Sequence, residues 1–162
     1  SMSNEWIVLE TGEVQIMSAG TGLMHSEMNN SSSEPINLFQ IWIIPNKRGV
    51  SPRYDQRKFD ASERKGKLQL LVSSIDDNHV ENLKIYQDAQ ISRIDLDKNV
   101  DFKYVLKTEM NGVYVMVIDG EINIENETLI KRDAIGISKT KSIQIKTNKS
   151  TELLFIEVPM IF

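Results

Sequence analysis

Val113-Tyr114-Val115-Met116-Val117-Ile118-Asp119-Gly120-Glu121-Ile122-Asn123-Ile124 decides the fold class. Six consecutive apolar residues, mostly β-branched, lead into Asp-Gly, and a second run then alternates apolar with polar. Runs of this composition are strands. Asp-Gly between two of them is the strongest short-range signal of a tight turn, so the stretch predicts a hairpin pairing 113–118 with 121–124. Upstream, Val100, Phe102, Tyr104 and Leu106 alternate with Asp101, Lys103 and Val105, a period of two that turns one face inward. Downstream, Ala134–Ser138, Ser142–Lys146 and Leu153–Val158 are short runs separated by the turn-rich pieces Lys131-Arg132-Asp133 and Thr147-Asn148-Lys149-Ser150. Near the other end, Leu38–Ile44 (LFQIWII) reads as a strand stopped by Pro45, with Trp42 expected in a core. No segment keeps apolar residues at i, i+3, i+4 and i+7 for three turns. Short strands at this spacing predict an all-β barrel or sandwich. Any helix is expected to be a turn or two, near Asp60–Arg64.

Composition narrows the function classes. The 162 residues are 40% hydrophobic and 26% charged, ordinary for a globular protein. The net charge of −4 argues against a general affinity for nucleic acid or anionic membrane. Cysteine is absent, which removes disulfides, thiolate metal ligands and thiol nucleophiles together and agrees with a reducing, cytoplasmic setting. No apolar run approaches a bilayer-spanning length. Ser1-Met2 reads as a cleavage scar ahead of a natural Met2. One segment differs from the rest: 46–66, with Lys67, holds eight Lys or Arg against three Asp or Glu, a local +5 that leaves −9 elsewhere. It reads as a solvated basic connector, or else as a basic surface for an anionic partner. It divides the chain into 2–45, 46–66 and 67–162.

Few residues can carry chemistry. His79, in Asp76-Asp77-Asn78-His79, reads as a surface histidine in a turn. His25 is flanked by Ala19-Gly20-Thr21-Gly22-Leu23-Met24 and by Ser26-Glu27-Met28-Asn29. The two glycines suit a tight turn. In an extended segment after it, His25 and Glu27 project from one face, while Met24, Ser26 and Met28 point away. An imidazole beside a carboxylate can supply two ligands to Fe(II), Mn(II) or Zn(II). The same pair also fits a histidine hydrogen-bonded to a neighbour at a barrel mouth. The serines around Ser31 lack a paired base, and no glycine-rich turn leads into a helix, so no nucleophile and no phosphate cradle is expected.

The run Gly12-Glu13-Val14-Gln15-Ile16-Met17-Ser18-Ala19-Gly20-Thr21-Gly22-Leu23-Met24-His25-Ser26-Glu27 resembles the most recognisable signature of the pirin family. Leu38-Phe39-Gln40-Ile41-Trp42-Ile43-Ile44-Pro45 and Pro52-Arg53-Tyr54-Asp55-Gln56 are similar to the segments downstream of that signature in pirins. The spacing Gly22-x-x-His25-x-x-x-Asn29 matches the second cupin motif. Tyr86-Gln87-Asp88-Ala89, Gly120-Glu121-Ile122 and Leu154-Phe155-Ile156-Glu157-Val158-Pro159 carry the resemblance, more loosely, through the rest of the chain.

This resemblance implies a bicupin, two double-stranded β-helix (jelly-roll) barrels of which the N-terminal one binds a metal, usually iron, through three histidines and a glutamate. It makes His25 and Glu27 the third histidine and the glutamate. The other two histidines would lie N-terminal to Glu13, where this chain has only Met2–Gly12. Where the C-terminal barrel would place a histidine, after Asp133–Ser138, Lys139 stands. The expectation is a truncated pirin: a remnant of the first barrel in 2–45 and a complete barrel in 67–162. Iron or another divalent metal would be absent or weakly bound at a partial site. Pirins include quercetin 2,3-dioxygenases and iron-dependent transcriptional cofactors. The readings are therefore a binding or regulatory module with a possible protein partner, or a flavonol dioxygenase whose missing ligands come from another chain. No catalytic residue and no organic cofactor site is assigned. Bare strands at Trp6–Leu9, Val14–Met17 and Leu38–Ile44 predict a two-fold homodimer. The competing outcome folds the fragment back onto the C-terminal barrel.

Overall fold

A computed structural model describes residues 6–78 and 81–160. Among the described residues twelve strands run in order: β1 Glu13–Ser18, β2 Arg53–Lys58, β3 Gln69–Ser74, β4 Leu83–Ile85, β5 Gln90–Leu96, β6 Asp101–Val105, β7 Asn111–Asp119, β8 Glu121–Ile124, β9 Glu127–Ile130, β10 Ala134–Ser138, β11 Ser142–Thr147 and β12 Thr151–Pro159. Among the described residues the one helical element is a 3₁₀ turn, Ala61–Arg64, capped by the Asp60 side chain accepting from the Ser62 amide. A six-stranded sheet, β10-β7-β12-β5-β3-β4, faces a four-stranded one, β6-β11-β8-β9. This is an all-β chain, as the strand spacing predicts, and the cupin jelly roll that the resemblance implies. β1 and β2 form a separate two-stranded sheet.

Two cores follow from the side-chain alternation. Val113, Val115 and Val117 of β7 and Leu153 and Phe155 of β12 point into the barrel against Ile122, Ile124, Ile143 and Ile145. Leu154, Ile156, Met116 and Ile118 point the other way, toward Ile16, Val14, Ile43 and Phe59. Val115–Ile118 of β7 and Leu153–Ile156 of β12 are apolar at successive positions because both faces of the sheet are covered there. β6 and β11 face water on one side and alternate cleanly, as expected at 100–106.

Four expectations need correction. The Asp119-Gly120 turn is not a hairpin. β7 pairs with β10 and β12, whereas β8 pairs with β11 and β9, so at Gly120 the chain crosses from one sheet to the other. Gly120 has φ +98, and a Cβ there would collide with Thr151 and the Ser150 carbonyl, so only glycine turns this corner. The tight hairpin is instead β8–β9, across Glu125-Asn126.

The segment 46–66 is not simply solvated. Arg53–Lys58 is β2, paired along the whole of β1 from Glu13↔Lys58 to Ser18↔Arg53. Arg64 Nε reaches both Asp95 carboxylate oxygens at 2.9 and 3.0 Å. The apolar face of Val14–Met17 is not bare either, since Ile16 is buried in the second core.

Finally, Leu38–Ile44 is not a strand, and Trp42 is not core. Trp42 is 89% exposed, and of this run only Ile43 packs into the second core. No described strand pairs with the run, and an extended segment without a ladder partner has no sheet face to bury.

Candidate functional site

β1 ends at Ser18, and the turn Ala19–Gly22 carries the chain off the sheet. Gly20 has φ +55, and a Cβ there would strike the Val50 carbonyl, where the chain enters β2. The Gly22 amide donates to the Ala19 carbonyl at 2.8 Å. His25 and Glu27 follow in irregular backbone, both exposed, rather than in the strand that alternation required. Met24 is 83% exposed. The turn is as expected, while the ladder that would hold the pair on one face is not formed by described residues.

Glu27 is nonetheless tied to the sheet. Gln15, on the half-buried outward face of β1, donates from Nε2 to Glu27 Oε1 at 2.5 Å. The Tyr54 hydroxyl on β2 lies 3.3 Å from Gln15 Oε1 and hydrogen-bonds Gln56 Oε1. Gln56 Nε2 in turn donates to the Val8 carbonyl at 3.2 Å. Burial first, then the negative charges of Glu13, Glu27 and Asp55, raise the Tyr54 phenol above its ordinary value. At the margin of this face Lys58 pairs with Glu10 at 2.5 Å, which lowers the Glu10 carboxyl.

The donor set sets the limits of metal chemistry here. Imidazole and carboxylate suit a divalent first-row ion, but such sites take three or more protein ligands. Among the described residues no group of three His, Cys, Asp or Glu is placed to hold a metal. His25 has no hydrogen-bond partner among them, and His79 lies outside the described residues. His25 and Glu27 alone therefore do not fit a complete metal shell.

The interior of the C-terminal barrel is filled by the apolar core. It holds one polar cluster that sequence reasoning missed. Glu157, 1% exposed, accepts from Tyr104 Oη at 2.7 Å, the Lys107 amide at 2.8 Å and Asn111 Nδ2 at 2.6 Å. Tyr104 also stacks on Phe155, with ring centroids 4.6 Å apart. Burial, then the hydrogen bond to Glu157 and its charge, push the Tyr104 phenol far above its ordinary value. The signal was present in Leu153-x-Phe155-x-Glu157, where alternation places the carboxylate on the inward face. Lys139 stands exposed at φ +61 beyond β10.

Residues 70–158 match the quercetinase C-terminal cupin domain family. Residues 2–43 match pirin. The chain belongs to the pirin family. This pirin is 38% identical over 159 residues to quercetin 2,3-dioxygenase of Escherichia coli K12, covering 98% of this chain and 66% of that protein. It is 32% identical to a pirin-like protein of Caulobacter vibrioides, covering 90% and 62%. Its fold superposes on the crystal structure of YhhW from Escherichia coli with a TM-score of 0.86 at 35% identity, over 94% of this chain and 63% of that one. A second YhhW structure, the bacterial pirin in complex with nickel(II), aligns with a TM-score of 0.83. The pirin chain thus spans about two thirds of the length of the relatives it matches. No helix among its described residues is long and apolar enough to cross a membrane.

Proposed function

We propose that this chain is a pirin-type binding or regulatory module whose His25–Glu27 half-site holds a divalent metal weakly, and that it is not an autonomous dioxygenase. The donor count carries the reading: two exposed ligands, with no third beside them among the described residues. Two ligands neither fix a metal's geometry nor exclude water from it. The test is oxygen uptake with quercetin after anaerobic loading with Fe(II), Mn(II) or Ni(II). No turnover above free metal is expected, and metal at one equivalent per chain with turnover would overturn the proposal.

The second reading, a dioxygenase of quercetin-like flavonols completed by ligands from another chain, is favoured by the activity named for the Escherichia coli relative. In that reading an added polypeptide carrying the missing ligands restores both stoichiometric metal and turnover. Lack of cysteine agrees with cytoplasmic work in either case.

For assembly we propose a two-fold homodimer through the N-terminal apolar face. Trp6 at 66%, Trp42 at 89% and Ile44 at 84% exposure support it, with Ile16 withdrawn from that face by burial. Burying about 600 Å² would contribute roughly 15 kcal/mol before association entropy offsets much of it. Sedimentation at micromolar concentration should give twice 18.5 kDa, and a clean 18.5 kDa monomer would exclude the dimer.

A further inference from the structure

Asn111-Gly112 is the one Asn-Gly pair in the sequence, and packing accounts for both of its residues. Asn111 opens β7 and is buried. Its Nδ2 donates to Glu157 Oε1 at 2.6 Å, which makes it one of the donors to a buried carboxylate, with the Lys107 amide and the Tyr104 hydroxyl. Gly112 lies between two strands, opposite Ser138 of β10 and Val158 of β12. A Cβ on it would stand 2.8 Å from Met160 Sδ, so glycine lets Met160 close over the end of β7. The same pair is the asparagine sequence most open to deamidation. With no side chain to shield it, the glycine nitrogen attacks the asparagine Cγ, closes a five-membered imide and expels ammonia, which carries off the glycine N–H proton. Water then opens the imide to aspartate or isoaspartate. The net change is amide plus water to carboxylate plus ammonium.

We propose that Asn111-Gly112 is a deamidation site which the fold keeps closed, and that its conversion to aspartate shuts the chain out of the native barrel. Attack requires the carboxamide to fold back over the next peptide nitrogen. In the folded chain Glu157 holds it in the barrel interior, and ladders on both sides keep the backbone extended. The unfolded chain has neither restraint. Aspartate at 111 sets a second carboxylate against Glu157 in place of a donor, and two such groups out of water do not both stay ionised. Among the described residues, the other ionisable groups around the pair give no relief. Tyr104 is a phenol already bound to Glu157, Lys107 Nζ is engaged by Asp88 at 2.6 Å and Asp77 at 3.5 Å, and Glu109 pairs with Lys141. Isoaspartate adds a methylene to the main chain at the first residue of β7 and breaks its register with Pro159. The lesion therefore records time spent unfolded.

The test ages the wild-type chain in buffer and in guanidinium chloride at one pH and temperature, and follows Asn111 by peptide mapping with mass spectrometry. Conversion should be at least about 100-fold slower in the native chain, because a stable domain is unfolded for about a thousandth of the time or less. Exposed Asn30, ahead of Ser31, reports an unguarded site in both samples. When the denatured sample is diluted into buffer, refolded molecules should retain Asn111 and converted chains should stay unfolded. Asn111→Asp supplies the product directly and should lower the folding equilibrium constant about 100-fold at pH 7. One carboxyl of the new pair keeps its proton to a higher pH than in the unfolded chain, where it titrates near about 4. The deficit of this variant against wild type in urea unfolding should therefore be smallest below about pH 4 and widen toward neutrality. Asn111→Leu removes the same donor without adding charge, so its deficit should widen much less. An Asp variant that stays unfolded while the Leu variant folds also supports the exclusion. Equal conversion of Asn111 in both samples, converted chains in the refolded fraction, or an Asp variant as stable at pH 7 as the Leu variant overturns the proposal.

Discussion

Replacing Tyr104 with Phe deletes one hydroxyl and leaves the ring stacked on Phe155 at 4.6 Å. The lost bond runs 2.7 Å to a Glu157 carboxylate that is 1% exposed and retains the Lys107 amide and Asn111 as donors. A hydrogen bond to a buried charged group contributes about 1.5–3 kcal/mol, so Tyr104→Phe should lose about 2 kcal/mol at pH 7. The pH profile makes the test specific. The folded phenol sits far above its ordinary value, so the native state keeps its proton where the unfolded chain, titrating near about pH 10, releases it. Stability from this group is fully present below that pH and declines above it, by about 1.4 kcal/mol per pH unit. The Phe variant has no such decline, so the two stabilities should converge about 1.5 pH units above 10. Urea unfolding followed by far-UV circular dichroism between pH 7 and pH 11 reads the difference, in which other titrating groups cancel. Tryptophan fluorescence is unsuitable, since Trp6 and Trp42 are exposed outside the barrel. Equal midpoints at pH 7, or a gap that fails to narrow above pH 10, would refute the idea that this bond secures β6 against β12.

Other outcomes rest on single contacts. Gly120→Ala meets both a positive φ and the Ser150–Thr151 backbone, and should cost about 2–4 kcal/mol in thermal or urea unfolding. Ile16→Ala should cost about 2–4 kcal/mol and raise amide exchange in β1 and β2 before the barrel strands open. His25→Ala should leave the unfolding midpoint within error, because a half-site holding little metal adds little to native stability; a clear loss would mean a tightly bound ion.

The barrel was legible because its strands obey a period of two, and Phe102, Tyr104, Ile143 and Ile145 point inward as their spacing dictates. Pairing was less so. Asp119-Gly120 signals a turn, and local chemistry cannot tell a hairpin from a corner between sheets; β12, 30 residues on, settles it by taking up β7 as its partner. The run LFQIWII misled because apolar composition gives strand propensity but not a partner, and without one Trp42 stays in water. His25 and Glu27 were identifiable by residue type and by resemblance. Gln15 and Tyr54 were not singled out, since their roles depend on β1 pairing with β2 across 34 intervening residues. Glu157 could have been found from the alternation of β12, had a carboxylate on an inward face been taken as a demand for donors.

A sheet that is greasy on both sides leaves no clean seam between the halves of this chain. Cut after Gly66, the C-terminal barrel would keep its interior, but its outer wall of Ile91, Met116, Ile118, Leu154 and Ile156 would lose its cover of Ile16, Val14, Ile43 and Phe59. It would also lose the guanidinium of Arg64 from Asp95. Excised in that way the barrel should be adhesive, binding hydrophobic dyes and clumping on storage. Any gene fusion or split-protein design that treats the barrel as a free-standing brick should therefore carry β1 and β2 along with it.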